Sequence, residues 1–523
     1  MRNPKLVLIA LLLANTLFGQ KFTVQIGPEF KADRDLDFWG HLYSDPTGHW
    51  VLLTDANRGM FTYKSFTPVL QKYDRSFKLD FFKEIKVDDE DIQFKGMFYA
   101  QQKFVLCTQK NDKKADKITY SATLIGMDGK PQKPQRIAVL QYDNKNTEPT
   151  NTTWRISEDT SKILLATWAD RNDDDLKLKL ALFVHDNQLN KLWSKNFNLP
   201  YSQERFQLRN VTVSNDGRVY VLAKVYDEKS NKESRKKNGK QEAAYKMVIL
   251  RFDDTNEKPK EFVLSLAGKF VTDVTFKLAH NNDLYCAGFY ANDKRGVIRG
   301  VFFTRINGQT GTAEVATSKE LASADIARFD TEKDKSGDEG LDSNFDFKRL
   351  VLRDDGGIVV IAEQVYVTTS TTMSGNRMRT VYYYNNNEIF VTSIAPDGAI
   401  EWVRMVPKKQ TFVDTNYFNG FSLMVSGGNM YFLYNEDEDN IGKPLTAKPK
   451  RISSFKDAVA GMVTLSFDGK MERSKIFNSK EDADALMAPA DGEQISPNEL
   501  FFITTRFKLF GSKKLRMGVV RVD

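Results

Sequence analysis

One kind of short apolar run recurs through this chain and limits what it can fold into. It begins near Trp50 ("WVLL"), Phe104 ("FVLC"), Ile163 ("ILLA"), Val219 ("VYVLA"), Leu284 ("LYCAG"), Ile358 ("IVVIA"), Met430 ("MYFLY") and Leu500 ("LFFIT"), at intervals of 54 to 74 residues. Such regularity marks a repeated supersecondary unit. The runs follow tight-turn signals, most clearly "SDPTG", "SNDG", "RDDGG" and "SGGN", in which Gly and Asx residues adopt turn conformations that other residues resist. Each run is therefore the second strand of a hairpin. A third strand-like segment follows, as in "ATLIGMDGK", "VTSIAPDGA" and "VTLSFDGK", and then a more polar fourth, such as "LDFFKEIKV", "KLWSKNFNL" or "IEWVRMVPK". The second strands are apolar on both faces, as in a sheet packed between two others, whereas the fourth alternates with charge, as at an outer edge. Nothing reads as helical except "SKEDADALM". The pattern predicts an all-β protein, a β-propeller of eight four-stranded blades, with seven as the alternative count.

The last unit, from about Asp491 to Asp523, holds only three strands. Its missing outer strand is available in "KFTVQIGPEF", Lys21 to Phe30, so a strand from the N-terminus is expected to close the ring and cover the open sheet edge. Ahead of it, "MRNPKLVLIALLLANTLFGQ" sets Arg2 and Lys5 before an apolar run of about 14 residues, the form of a secretory signal and too short for a spanning helix. Residues 1–20 are thus expected to be a signal peptide cleaved near Gly19 or Gln20, and 21–523 a single propeller domain with no membrane span. The mature protein is expected to be exported, to the periplasm or the cell surface. Loss of Arg2 and Lys5 takes the formal charge from +7 to +5. That is a mild charge on a long chain, and it excludes a nucleic-acid footprint. The two cysteines, Cys107 and Cys286, lie inside apolar runs and read as buried free thiols.

Sorted by blade face, the connections are asymmetric. First-to-second and third-to-fourth turns are short. Second-to-third loops and blade-to-blade connections, on the opposite face, hold the long insertions: Tyr226 to Ala244, Ser323 to Phe345 and Asn435 to Lys456. "VYVTTSTTMSGNRMRTVYYYNNN", Val365 to Asn387, is the second-to-third connection of blade 6. Its Val, Thr and Tyr content predicts that the two strands run on as a ribbon beyond the disc, with Ser374 and Gly375 at the tip and few core contacts. Tyr and Arg supply rigid contact area and dominate interfaces, so Tyr366, Arg377, Arg379, Tyr382, Tyr383 and Tyr384 are the candidate partner-binding residues.

Chemical motifs are sparse. The four histidines, His41, His49, His185 and His280, lack H-x-x-x-H or H-E-x-x-H spacing, and there is no nucleophile-elbow, phosphate-loop or C-x-x-C pattern. "DKSGDEGLD", Asp334 to Asp342, spaces oxygens at Asp334, Ser336, Asp338 and Asp342 as a calcium loop does. Glu339 stands where the tight-turn glycine belongs, however, and Phe345 where the bidentate carboxylate should be, so it reads as an acidic solvated loop. "DDED" at 88–91 and "NEDEDN" at 435–440 read as solvated charge as well. No metal and no cofactor is expected.

"DNQLNKLW" with Trp193 and "DGAIEW" with Trp402 resemble the turn-then-tryptophan blade endings of quinoprotein-like eight-bladed propellers, among them envelope assembly scaffolds. No residue set matches a quinone site. "VYYYNNNEIFVTSIAPDGAIEWVRMVPKKQ" resembles a family of uncharacterised exported propellers of Bacteroidota-type bacteria, a resemblance that implies the fold and no activity. The expected function is a non-enzymatic scaffold binding an envelope or extracellular protein or glycan through the long-loop face. The alternative is a propeller enzyme acting on glycans with paired carboxylates near the central channel, and a ligand-binding sensor would need an apolar cavity.

Overall fold

The computed structural model describes residues 21–31, 36–58, 63–86, 91–142, 148–170, 173, 175–227, 234–237, 240–293, 297–326, 331–333, 339–341, 344–374, 377–506 and 514–523. The signal segment, Asp88 to Glu90, the tip residue Gly375 and the acidic-loop residues Asp334, Ser336, Asp338 and Asp342 lie outside the described residues.

Eight antiparallel sheets follow one another along the chain: Leu36–Glu84, Ile92–Gln141, Asn151–Ser202, Phe206–Leu264, Phe270–Glu320, Phe345–Val406, Ser422–Asn478, and Glu493–Val522 completed by Phe22–Ile26. Within the first seven the strands pair in chain order from the inner to the outer edge, and in blade 8 the N-terminal strand takes the outer place. This is an eight-bladed β-propeller. The N-terminal strand Phe22–Ile26 pairs antiparallel with Lys514–Val522, from Phe22 opposite Val522 to Ile26 opposite Gly518, so the ring closes with the chain's two ends side by side. Asp523 N–H donates to the Lys21 carbonyl and the Thr23 hydroxyl to the Asp523 carboxylate, 2.8 Å away.

The core lies between blades and not inside any one of them. The packing of blade 3 on blade 4 is typical: Leu164, Leu182 and Val184 of the first meet Val211, Val221 and Leu250 of the second, all buried. The closing strand takes part, since Phe22, Val24 and Ile26 pack on Tyr431, Leu433 and Phe502 between blades 7 and 8. Second strands are buried on both faces, and in blade 4 every residue of Val219–Tyr226 is. Both tryptophans of the turn-then-tryptophan endings pin one blade to the next: Trp193 Nε1 donates to the Gly217 carbonyl (3.0 Å) and Trp402 Nε1 to that of Phe467 (2.9 Å). The blade 6 turn touches blade 5 so closely that a Cβ on Gly398, whose φ is +87°, would meet the Thr317 hydroxyl at 2.5 Å.

Two expectations are corrected. "SKEDADALM" is not helical: turns carry Ser479 to Asp484, where the Asn478 N–H is held by the Asp482 carboxylate, and Leu486–Met487 then pairs with blade 8. The "NEDEDN" segment is not a solvated acidic loop. The second strand of blade 7 runs on to Asp437, and Asn435, Glu436, Asp437 and Asn440 are all buried. Surrounding segments meet these groups in part: Asn435 donates to the carbonyls of Phe418 and Met487, while Glu436 has the Arg473 guanidinium only at 3.5 Å. Cys107 and Cys286 are buried free thiols, and burial raises both thiol pKa values.

Candidate functional site

The ribbon of blade 6 is built from two long strands, Ile358–Ser374 and Arg377–Ile394, paired without a break from Val365 opposite Asn386 to Ser374 opposite Arg377. A bulge between Glu363 and Val365 marks where it leaves the sheet. Strand alternation sorts its side chains into two faces. One carries Val367, Thr369, Thr371 and Met373 opposite Tyr384, Tyr382, Thr380 and Met378. On that face Val367 is 50% exposed, Met373 74%, Met378 73% and Tyr382 46%. The three consecutive tyrosines are thus divided. Tyr383 points to the other face, where it is half-buried beside Val413 of a third strand, Gln410–Val413, that backs the foot of the ribbon.

The foot is not a loose attachment, contrary to the expectation of few core contacts for the whole of Arg377 to Asn387. Asn385, Asn386 and Asn387 are buried and each is wired in. Asn385 accepts from the Thr411 hydroxyl (2.8 Å), Asn386 donates to Glu363 (2.9 Å), and Asn387 donates to Gln364 (3.0 Å) and the Tyr366 hydroxyl (3.2 Å). Lys408, 1% exposed, sets its Nζ 2.8 Å from Glu363 and donates to the Asn386 carbonyl (2.7 Å) and to Gln410 (3.1 Å). Burial lowers the Lys408 pKa, opposed by the Glu363 charge. Nearby, burial pushes the Glu436 carboxyl up to about 7, the Arg473 guanidinium opposing it.

Inside the ring, a cavity of about 970 Å³ is lined by segments of blades 5 to 8 and by Glu158 of blade 3, with Val365, Tyr366, Val367, Tyr384, Asn385 and Asn386 at its ribbon edge. Three carboxylates reach it, each with a basic partner: Glu158 with Lys277 (3.1 Å), Glu363 with Lys408 (2.8 Å) and Glu493 with His41 (2.8 Å). Asn419, also lining it and buried, donates to the Tyr384 carbonyl while its own side-chain oxygen has no hydrogen-bond partner. Among the described residues no cluster of three or more His, Cys, Asp or Glu could hold a metal, and no helix is long and apolar enough to cross a membrane.

The six candidate residues therefore separate. Tyr366 and Tyr384 border the channel cavity, Tyr382 stands out on the ribbon, and Tyr383 packs on its opposite face. Arg379 is exposed with Asp414 3.5 Å away. Arg377 pairs through its backbone with Ser374, and its side chain lies outside the described residues. Missed from the sequence were Val367, Met373 and Met378, although period-2 counting along "VYVTTSTTM" places Val367 and Met373 on one face. Missed too was a recurrent bulge in the inner strands. It inserts Trp39 in blade 1, Lys95 in blade 2, Arg209 in blade 4 and Lys348 in blade 6, each at the fourth position of its strand. Gly40 and Gly96, isolated inside strand patterns, were the available signal.

No protein-family model and no curated protein sequence matches the chain. Its similarities to solved structures are at low identity. The chain is similar to the WD40 domain of SCAP from fission yeast (10% identity over 96% of this chain and 98% of that one, TM-score 0.40). It is likewise similar to the polysaccharide lyase Uly1 (10%, 95% and 100%, 0.38) and to the β-propeller domain of the Trilobed protease from Pyrococcus furiosus (10%, 86% and 99%, 0.33).

Proposed function

We propose that this propeller is an exported, non-enzymatic interaction scaffold whose long-loop face binds a protein or glycan, the blade 6 ribbon reaching the partner first. The apolar face of that ribbon carries the reading. Val367, Met373, Met378 and Tyr382 hold contact area in water on a rigid two-stranded arm, and unbranched methionine adapts to the surface it meets. At the foot of the same face Val367 and Tyr384 pass into the channel cavity, so ribbon and cavity form one continuous surface. A ribbon face of this composition favours a protein partner. Export, to the periplasm or cell surface, rests on the N-terminal segment and on the resemblance to exported propellers.

The test is a trimmed ribbon in which a Gly-Ser turn joins Thr368 to Tyr383, which face each other across the strands. This keeps Asn385 to Glu388. The trimmed protein should melt within a degree or two of the full chain and lose a partner that the full chain recovers from envelope extract, and equal recovery would place the binding face elsewhere. The alternative, a glycan-acting enzyme, draws on Asp273, whose carboxyl burial pushes up to about 6, with the Asp346 charge of the next blade adding to the rise. A raised carboxyl beside a second carboxylate is what a general acid needs. Asp273→Asn would abolish such turnover while leaving partner capture intact.

A further inference from the structure

Where blades 1, 2 and 3 meet the channel, the inner strands hold a second cleft, of about 240 Å³, lined by Trp39, Lys95, Thr153, Trp154, Arg155 and their neighbours. Lys95 is delivered by the bulge between Phe94 and Gly96, and Trp39 by that between Phe38 and Gly40. The inner strands of blades 2, 3 and 4 contribute Lys95, Arg155 and Arg209 to the channel and no carboxylate. Among the described residues no ion pair within 4 Å reaches Lys95 or Arg155. Arg155 uses Nε on the Val211 carbonyl (3.2 Å) and Nη1 on that of Trp154 (2.9 Å), which fixes the guanidinium plane and leaves Nη2 uncommitted among the described residues. The buried Trp154 indole N–H also has no partner. Trp39, 47% exposed, supplies one flat apolar wall and stands edge-on to Phe94 at 5.0 Å.

We propose that this cleft binds an acidic saccharide, one uronate residue of an oligosaccharide resting on Trp39 with its carboxylate held by Lys95, while Arg155, turned toward blade 4, meets the next acidic unit. An indole face accepts the C–H side of a sugar ring, and a guanidinium fixed at two donors presents the rest to a carboxylate. Burial lowers the pKa of both cations, the sign of positive charge held in a site that lacks a counter-charge. The bulges recur at one level of the disc and bring Arg209 and Lys348 to matching positions in blades 4 and 6. Lys348 is already paired there with Glu363 (3.5 Å) and Asp346 (3.7 Å), so among the described residues the cations left for a ligand are Lys95, Arg155 and Arg209, an arc that suits a ligand with repeated charge better than a single small anion. The site is remote in sequence from the blade 6 ribbon and does not depend on the ribbon's role.

The experiment is calorimetric titration of the full mature chain with tetragalacturonate and, separately, with its carboxyl-reduced neutral counterpart. The charged tetrasaccharide should bind at least tenfold more tightly than the neutral one. Lys95→Gln and Trp39→Ala should each weaken it at least fivefold, with the melting temperature unchanged. Arg155→Gln should do the same, but its two carbonyl contacts make Lys95→Gln the cleaner variant. Equal binding of both oligosaccharides, or binding of neither, overturns the proposal. So does citrate displacing the tetrasaccharide at equal concentration while Trp39→Ala has no effect, because that outcome describes an anion site without a sugar.

Discussion

The closing seam, where the N-terminal strand completes blade 8 and leads into blade 1, and the foot of the ribbon between blades 6 and 7 both join distant parts of the chain, and they do it by opposite means. At the seam, a plain five-residue ladder brings Phe22, Val24 and Ile26 onto an apolar cluster, and the buried Glu499 carboxylate is met by arginines that still reach water. There Arg75 places one amino group 2.7 Å from both oxygens of Glu499. At the ribbon foot, Glu363, Lys408, Glu436 and Arg473 are withdrawn from water and answered by one another and by a set of asparagines and glutamines. Apolar ladders tolerate local imperfection, since each contact contributes a little. A buried charge network does not, since removing one member strands another. The seam is where the fold is held closed, and the foot is where an arm is held in one orientation.

The largest effect should come from the seam. Removing Lys21 to Phe30 exposes the edge of blade 8 and strips three apolar side chains from its core, for a loss on the order of 5 kcal/mol. A calorimetric melt should show the transition moved down by many degrees or broadened, and an unshifted melt would show that the N-terminal strand does not hold the ring. Next comes Lys408→Met, which leaves the buried Glu363 with only the more distant Lys348, 3.5 Å away, and should cost about 3 kcal/mol. Lys408→Met combined with Glu363→Leu should recover most of that loss in urea denaturation. Failure of the double variant to recover would mean that the asparagine network, and not the ion pair, fixes the foot.

The smallest effect sharpens the contrast through pH. Glu436 has a folded pKa near 7, above its ordinary 4.5. Between those values the folded chain holds a proton that the unfolded chain has released, so this group makes stability fall as pH rises from about 4.5 to 7. His49, at the seam and 1% exposed, is depressed to about 4 from 6.5, by burial first and then by the Arg75 charge. There the unfolded chain binds the extra proton, so its contribution is complete above 6.5 and is lost as pH falls toward 4. Glu436→Gln should therefore raise stability above pH 7 by about 2 kcal/mol, and His49→Phe should flatten the acid limb by a similar amount. Urea midpoints at pH 4.5, 6 and 8 read both, and equal slopes in the variants and the parent would refute the assignment.

The architecture was legible because its signals are local. Apolar runs such as "VYVLA", turns such as "SNDG" and the polar fourth strands state the blade without reference to anything distant. The ribbon was legible for the same reason, from its threonines and tyrosines. The site was read less well. "NEDEDN" has the composition of a solvated loop, and only the arrival of Arg473 and of the Phe418 and Met487 carbonyls from elsewhere in blades 7 and 8 makes it core. The three tyrosines of "YYYNNN" read as one contact surface. In the structure one tyrosine stands in water, one packs behind the ribbon, one borders the cavity, and the asparagines bind the foot to Glu363, Gln364 and Thr411.

The sequence by itself determined the repeated four-stranded unit and pointed to eight copies with closure by the N-terminal strand, because hydrophobic period and turn chemistry act over a few residues. The tertiary structure decided which charges are buried and which line the channel. A bulge shifts a strand's register by one residue and sends Lys95 or Arg209 inward, and whether a carboxylate meets a cation or water there depends on a blade far away in sequence.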